Sequence, residues 1–475
     1  MVWLDDALKV SAGKPSGGFA EAHSPSGSYR SESVHSVARS KVTKTRAAGS
    51  LVRRYPLDLA CGQLRSYLKS HINKAGHNMT RFFIILFLIL LYMPSSAQAV
   101  TACQNITAYG ADPSGSSPSN TAFTDAVAAT DGTHICVYFP SGRYSFTTRL
   151  FVSLPNSSPN SSVTIKGDGS DTTELRFPSG SDGLVININS PDQSFHIDRL
   201  SVVTTAKSNS TNGIAVNNFS NSINSAQSHI DQVTVRGADG YTDKTSRWGI
   251  GINLYQISNT NLTNDTIIGS TNGASFATEG TCFIDRGTVA VFPIQINIIG
   301  SQFNFCHYGI VYGDYLQGLQ ITSSNFVGNG FGVFLSDKNV GNDQLAISSS
   351  QFNSSISDIY IGGLIDGVSI TGNSFYGARL SGKIAIDIIK PYQFSIIGNA
   401  FPTDTGATNQ DGIHIGPYQG ASGVITGNVF SGPLVTAIYL RPNSQRVNIQ
   451  SNSYSGVANN IVNSGANNMI GGGSS

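Results

Sequence analysis

From about Ile197 onward, short apolar stretches alternate with Gly and Asn turns, and this repeat constrains the fold more than any other feature. The clearest copies read ITSSNFVG (321–328), ITGNSFYG (370–377), IIGNAFPT (396–403), ITGNVFSG (425–432) and IQSNSYSG (449–456). Each copy has an apolar residue, two small or polar residues, Asn or Ser, any residue, and then an aromatic residue. Such short segments cannot bury a hydrophobic face alone, but stacked copies can, which is the logic of a solenoid.

Alignment on the aromatic position extends the repeat along most of the chain, with spacings between 23 and 36 residues. The aligned residues are Val202, Val235, Ile267, Phe303, Phe326, Phe352, Phe375, Phe401, Phe430 and Tyr454. A second short strand follows in most copies, for example GIAVN, GVFLS and AIYLR. The sequence therefore predicts an all-β parallel β-helix of about ten or more coils, with Ile, Val and Phe inside.

A polar column lies two residues before the aromatic position. Its members are Asp265, Ser301, Ser324, Ser350, Asn373, Asn399, Asn428 and Asn452. Residues at one position on neighbouring coils lie about 4.8 Å apart, so Asn side chains there can hydrogen-bond along the axis. This pattern favours a structural role for Asp265 over a catalytic one.

The first 99 residues differ from the rest. They contain MTRFFIILFLILLYMPSSAQA at 79–99, a basic flank, a short apolar core and an A-x-A site, which together indicate a secretory signal peptide. Residues 1–78 are then an over-extended start or a leader. The alternative is a membrane anchor with a basic tail. With a signal peptide, the expected location is secreted or at the cell surface, either extracellular or periplasmic, without stable membrane insertion after cleavage.

Charge also divides the chain at this point. Residues 1–99 carry 13 Lys and Arg and 5 Asp and Glu, whereas residues 100–475 carry 16 and 23. The second segment is mildly acidic, which argues against nucleic acid as a partner. Within it we assign residues 100–160 to an N-terminal cap and 161–470 to the parallel β-helix. The sequence does not indicate an oligomeric state.

Four cysteines remain after the leader. We expect Cys103 to pair with Cys136 near the cap, and Cys282 with Cys306, about one coil apart; four free buried thiols are the alternative. Residues 119–129 form the single short helical pattern, with Ser119 at an N-cap position. This helix is expected to cover the open end of the solenoid.

The segment ITAYGADPSGSSPSNTAFTDAVAAT…ICVYFPSGRYSF (106–146) resembles the N-terminal signature of the pectate-lyase-like superfamily of right-handed parallel β-helix proteins. The matching features are the Gly-Ala turn at Gly110, the helix, and a "PxGxY" strand at Pro140–Tyr144. The resemblance implies a right-handed helix. It does not fix an activity, because such proteins include lyases, hydrolases, epimerases, tailspikes and adhesins. Residues 100–475 lack the Asp-Asp, Asn-Thr-Asp and Gly-His-Gly motifs of the polygalacturonase-type hydrolases.

Stacking of the second strands predicts an acidic cluster. Asp285, Asp314 and Asp337 follow successive strands, and Arg286 adjoins Asp285. Neighbouring carboxylates raise one pKa, as a general acid requires. In hydrolysis one carboxyl protonates the leaving oxygen and another activates water; in β-elimination the acids would hold Ca²⁺, with Arg286 as base or orienting group. Surface turn aspartates are the alternative.

Outward positions of later strands carry Phe334, Tyr360, His414 and Tyr439, a row that suits sugar rings. Packing beneath loops is the alternative. The repeated HIDRL and HIDQV segments, beginning at His196 and His229, favour a stacking ladder over a metal site. The longer coils between Val202 and Phe303 are expected to project loops, and these could also build a site. Their candidate residues are Asp239, Asp243, Lys244, Arg247, Trp248 and Glu279.

These observations favour a secreted carbohydrate-active enzyme that cleaves an acidic, pectin-like polysaccharide as a lyase or an inverting hydrolase. Calcium is expected only for the lyase. The alternative is a non-catalytic surface or matrix protein that binds glycans along its shaft, and the missing hydrolase motifs favour it.

Overall fold

The computed structural model describes residues 102–207, 210–224, 226–241, 245–377, 380–418 and 420–471. The predicted signal peptide and leader lie outside these residues. Within them the chain forms a parallel β-solenoid of about 12 turns. Each turn contributes one strand to each of three parallel sheets, named here in the order in which a turn visits them. Right-handedness stays a prediction.

The three sheets contain nearly all of the regular structure. The first sheet comprises Gln104–Asn105, His134–Phe139, Ser162–Gly167, Ser194–Asp198, Ser228–Asp231, Thr260–Thr263, Ile294–Ile299, Gln317–Thr322, Asn342–Ser348, the end of Gln351–Thr371, Gln393–Ile397, Ser422–Thr426, Val447–Gln450 and Met469–Ile470. The second comprises Gly142–Ser145, Thr173–Phe177, Ser201–Thr204, Thr234–Gly237, Thr266–Ile268, Gln302–Asn304, the beginnings of Asn325–Leu335 and Gln351–Thr371, Ser374–Phe375, Ala400–Pro402, Val429–Ser431 and Ser453–Ser455. The third comprises Leu150–Ser153, Leu184–Ile188, Asn212–Asn218, Ile250–Tyr255, Thr281–Arg286, Tyr308–Tyr312, the end of Asn325–Leu335, the middle of Gln351–Thr371, Ile384–Pro391, Asp411–Ile415, Thr436–Leu440 and Asn459–Asn463.

The core is a continuous column of stacked side chains. Because strand residues alternate between faces, the aligned aromatic position points inward on every turn. Its rings stack from Phe303 to Tyr454 with centroid separations of 4.5 to 5.5 Å. Each buried ring contributes about 1.5–3 kcal/mol of hydrophobic stabilisation. The predicted register of the repeats is confirmed.

The polar column forms a hydrogen-bonded ladder in the turn between the first and second sheets. The main-chain N–H groups of Ser350, Asn373, Asn399 and Asn428 each donate to the Oδ1 of the next Asn, at 2.9 Å. Upstream, serine Oγ atoms accept in the same way at 3.1 to 3.3 Å. Asp265 lies in this ladder and accepts from the Val233 N–H at 2.9 Å. Its predicted structural position is confirmed.

Both predicted disulfides are present, Cys103–Cys136 and Cys282–Cys306.

The predicted helix, α1, spans Asn120–Ala128 and follows a short 3-10 helix at Ile106–Tyr109. Phe123 on α1 is buried and faces Phe139 with ring centroids 6.3 Å apart. That α1 closes the solenoid stays a prediction. Parallel pairing begins with Gln104–Asn105 against His134–Phe139, inside the segment assigned to the cap. No helix among the described residues is long and apolar enough to cross a membrane.

Candidate functional site

The predicted row of aromatic residues lies in one outward column of the third sheet. Phe334 pairs with Tyr360, and His414 pairs with Tyr439, on neighbouring strands. Asp387 pairs with both Tyr360 and His414, so a carboxylate stands in the middle of the row. The shared column is confirmed, whereas substrate binding by these side chains stays a prediction.

At the N-terminal end of the row, Phe334 and Tyr360 form an aromatic patch with Tyr308 and Phe331, which lie in a separate column of the same sheet. The rings of Phe334 and Tyr360 stack with centroids 5.3 Å apart, and those of Tyr308 and Phe331 stack at 5.6 Å. All four side chains are partly exposed. Partly exposed rings that are rigidly held offer flat apolar surfaces to a ligand.

The C-terminal half is an ionic patch of Asp387, Asp411, His414 and Arg441. The guanidinium of Arg441 binds Asp387 through two contacts, Nη1–Oδ1 at 2.9 Å and Nη2–Oδ2 at 3.0 Å. His414 lies between charged partners, with its Nε2 3.0 Å from Oδ2 of Asp411 and its Nδ1 3.3 Å from Nη2 of Arg441. Asp411 also accepts the Thr436 main-chain N–H at 2.9 Å.

These contacts orient the ring of His414. A guanidinium nitrogen can only donate, so Nδ1 of His414 is the acceptor in its contact with Arg441. Nε2 faces the Asp411 carboxylate. His414 is 7% exposed and is held by a carboxylate on one side and a cation on the other, an arrangement that suits a general base.

Tyr360 joins the two patches electrostatically. Burial raises the pKa of Tyr360, and the negative charges of Asp387 and Asp337 add to this effect. The phenol therefore keeps its proton at neutral pH. Tyr360 and His414 lie two strands apart in one column, with Asp387 between them, so a protonated phenol and an imidazole share the same face of the sheet.

The structure corrects the predicted position of Asp285. Its strand neighbours are Leu254 and Tyr312, which point into the core, so Asp285 lies inside its strand, and the prediction that it follows the strand is wrong. Asp285 is 0% exposed, and among the described residues neither carboxyl oxygen has a hydrogen-bond partner. Burial raises its pKa to about 8, and Arg286 opposes the shift only in part. Asp285 faces the core and does not form a surface cluster with Asp314 and Asp337.

The other predicted acids and Arg286 lie at the surface of the third sheet and its following turns. Asp314 accepts the Val340 N–H at 3.1 Å, so the turns carrying Asp314 and Asp337 are in contact. Asp337 is exposed and lies close enough to Tyr360 to influence its pKa. Arg286 points outward and its guanidinium lies 5.7 Å from the ring centroid of Tyr255. Their catalytic roles stay predictions.

A calcium site would need several carboxylates at one point. With Asp285 turned inward, the predicted set is reduced to Asp314 and Asp337. In the described part of the chain no group of three or more His, Cys, Asp or Glu could hold a metal ion.

Residues of the longer coils mainly tie their loops to the solenoid. Trp248, expected on a projecting loop, is 3% exposed and its Nε1 donates to the Val202 carbonyl at 3.3 Å. Arg247 forms an ion pair with Glu279. Asp239 accepts from Thr245 at 2.7 Å. Asp243 and Lys244 lie outside the described residues.

Sequence reasoning did not identify Asp387, Asp411 and Arg441. Asp387 occupies the very column in which aromatic residues were sought, and a search for any polar residue in that column would have found it. Arg441 pairs with Asp387, which lies 54 residues away. Its position two residues after Tyr439 indicates only that it is outward-facing.

Comparisons with known proteins agree with the fold. A model of the family described as rhamnogalacturonase A/epimerase, pectate lyase-like, matches residues 103–314, which exclude the ionic patch. No curated protein matches the chain. The A-module of the Azotobacter vinelandii mannuronan C-5 epimerase AlgE4 is 17% identical, with a TM-score of 0.52, and the similarity covers 78% of this chain and 100% of that one. For the AlgE6 A-module the values are 16%, 0.51, 78% and 98%. Over residues 103–314 the chain is therefore similar to the pectate-lyase-like superfamily, and its parallel β-solenoid fold agrees with that similarity.

Proposed function

We propose that the protein is a secreted carbohydrate-active enzyme that acts on a uronate-containing polysaccharide by removing the proton next to the uronate carboxylate. The observation that carries this proposal is the Asp387–Arg441–His414–Asp411 network on the outer face of the third sheet. It offers a cation, an imidazole and, at Tyr360, a proton donor. The polysaccharide would run along the sheet, with sugar rings on the aromatic patch.

The charges favour elimination over inverting hydrolysis. An inverting hydrolase needs one protonated carboxyl and one carboxylate at the same bond. Asp387 is paired with the Arg441 guanidinium, and Asp411 contacts Nε2 of His414. Asp285 does keep a proton at neutral pH, but it is buried in the core. Both carboxyl groups of the ionic patch are therefore already engaged, one with a cation and one with an imidazole.

In the proposed reaction, Arg441 binds the substrate carboxylate. This competes with the 3.3 Å contact to His414 and releases Nδ1. Nδ1 takes the proton from C5, the C–H electron pair forms the C4=C5 double bond, and the C4–O4 bond breaks with its pair going to O4. Tyr360 donates a proton to O4. If the C4–O4 bond stays intact, the C5–H electron pair is held as the enolate of the uronate carboxylate, and return of a proton to the opposite face of C5 gives epimerisation.

The test is incubation of the purified full chain with polygalacturonate, alginate and dextran in deuterated buffer. The expected result with a uronate polymer is ultraviolet absorbance of the new double bond, or deuterium at C5 without cleavage. New reducing ends with neither signal would overturn the proposal in favour of hydrolysis. Binding without any reaction would favour the non-catalytic alternative. Activity lost in chelator and restored by Ca²⁺ would support the calcium prediction.

The variants Arg441→Gln and His414→Gln test the assignment of residues. Each is expected to reduce turnover by roughly 10²–10³-fold, because one removes the cation and the other the base. Arg149→Gln is the matched control, since Arg149 is an exposed arginine beside a distant strand of the same sheet. Thermal melting of each variant separates loss of activity from loss of fold. Wild-type turnover in both patch variants would move the site elsewhere.

A further inference from the structure

The outer face of the first sheet contains two adjoining depressions, of about 380 and 400 Å³, in addition to the site on the third sheet. The first is lined by His196, Gln227, His229, Asp231, Asn261 and Thr263. The second is lined by Gln227, Asn259, Asn261, Gln295, Asn297 and Gln320. Gln227 and Asn261 line both, so the two form one shallow groove across five successive strands.

The groove floor is an ordered column of planar polar groups. His196, His229, Asn261, Asn297 and Gln320 occupy one outward register position on successive strands. Neighbours in such a column are about 4.8 Å apart. Asn297 Nδ2 donates to Asn261 Oδ1 at 2.9 Å, which fixes the planes of both amides. This bond uses one donor of Asn297 and one acceptor of Asn261, and the groove presents their other polar atoms.

The charges of the groove differ from those of the ionic patch. No lysine or arginine is among the residues that line it. The Asp231 carboxylate accepts from Thr263 at 2.8 Å and from Gln232 at 3.1 Å, and His229 is paired with Asp198 at 2.6 Å. A polyanion would find no lysine or arginine in this lining, and the one lining imidazole whose pKa is raised, His229, is already paired with Asp198. Amides both donate and accept, as pairs of sugar hydroxyls do.

We propose that this groove is a docking surface for a neutral polysaccharide chain, separate from the reaction site on the third sheet. The column of amides would bond hydroxyl groups of successive sugars, and the half-buried His196 and His229 rings would close its N-terminal end. The protein would thereby remain attached to a neutral polymer while it acts on an acidic one. The inference rests on the groove alone and holds whether or not the third sheet is catalytic.

The experiment is affinity electrophoresis of the full chain in gels containing hydroxyethyl cellulose, galactomannan or dextran, with polygalacturonate as the acidic probe. At least one neutral polymer is expected to retard the wild-type protein. Two double variants, Asn261→Ala/Asn297→Ala and Gln227→Ala/Gln320→Ala, should each weaken that retardation at least fivefold. The second pair is exposed, so it tests binding even if loss of the amide pair disturbs folding.

Thr322→Ala/Ser348→Ala is the matched control, because these residues form another outward polar pair on the same sheet, outside the groove lining. It should leave the retardation unchanged. Turnover of polygalacturonate should be unchanged in all three double variants, whereas Arg441→Gln should lose turnover and keep neutral-polymer binding. The proposal is overturned if no neutral polymer retards the wild type, if only polygalacturonate does, or if both groove variants bind normally.

Discussion

In the turn between the first and second sheets, Asn373, Asn399 and Asn428 are buried and bonded on both sides, whereas Asp285 on the third sheet is buried with no hydrogen bond from a described residue. The difference lies in the neighbours. Each Asn is stacked on another Asn whose amide can both donate and accept. Asp285 is stacked between Leu254 and Tyr312. In a solenoid, a buried polar group is satisfied when the next coil repeats it.

The largest expected effect comes from breaking the ladder. Asn399 accepts the Asn373 N–H and donates to the Ile370 carbonyl at 3.0 Å. Asn399→Ala leaves both main-chain groups buried without a hydrogen-bond partner. We expect a loss of about 4 kcal/mol in the free energy of unfolding. Asn399→Ser should cost clearly less, since serine occupies this column at Ser350 and accepts an N–H there. Urea denaturation measures both. Equal losses would show that packing, rather than hydrogen bonding, sustains the column.

The second effect has the opposite sign. Asp285→Leu repeats the Leu254 side chain and removes a desolvated carboxyl, so we expect a gain of about 3 kcal/mol at neutral pH. Asp285→Asn should gain less, because an amide in this place is still unbonded. Chemical denaturation of the three proteins measures the difference. A destabilised Leu variant would show that the carboxyl has a partner that is absent from the described residues.

The pH dependence sharpens this prediction. Burial raises the pKa of Asp285 from 3.8 to about 8. Below the lower value the carboxyl is protonated in both the native and the unfolded state. As pH rises from 3.8 to about 8, only the unfolded state ionises, so native stability falls, and above this window the loss is complete. Denaturation at several pH values should show this slope in the wild type and a weaker slope in Asp285→Leu.

Asp285 also shows where sequence reasoning ends. The repeat predicted the coils, the aromatic stack, the Asn ladder and the row from Phe334 to Tyr439, because each depends on a pattern that recurs on every turn. An acid at a core position breaks that pattern, so the sequence placed Asp285 after its strand, whereas it lies within the strand. Asp387 and Arg441 were missed for a related reason. Their ion pair joins residues two turns apart and is not repeated on the other turns, so it leaves no period in the sequence.

The smallest expected effect concerns Asp265, which belongs to both sides of the comparison. It lies in the ladder and accepts from Val233, but among the described residues its Oδ2 has no partner, and burial raises its pKa well above the ordinary value. In Asp265→Asn the Oδ1 acceptor is kept, and the new Nδ2 can donate to the Ile230 carbonyl, as Asn373 donates to Ile347 at 3.1 Å. We therefore expect a gain of about 1 kcal/mol at neutral pH. Turnover of a polysaccharide substrate should be unchanged, because the residues of the ladder have a structural role. Loss of turnover with normal urea unfolding would instead make Asp265 a functional acid.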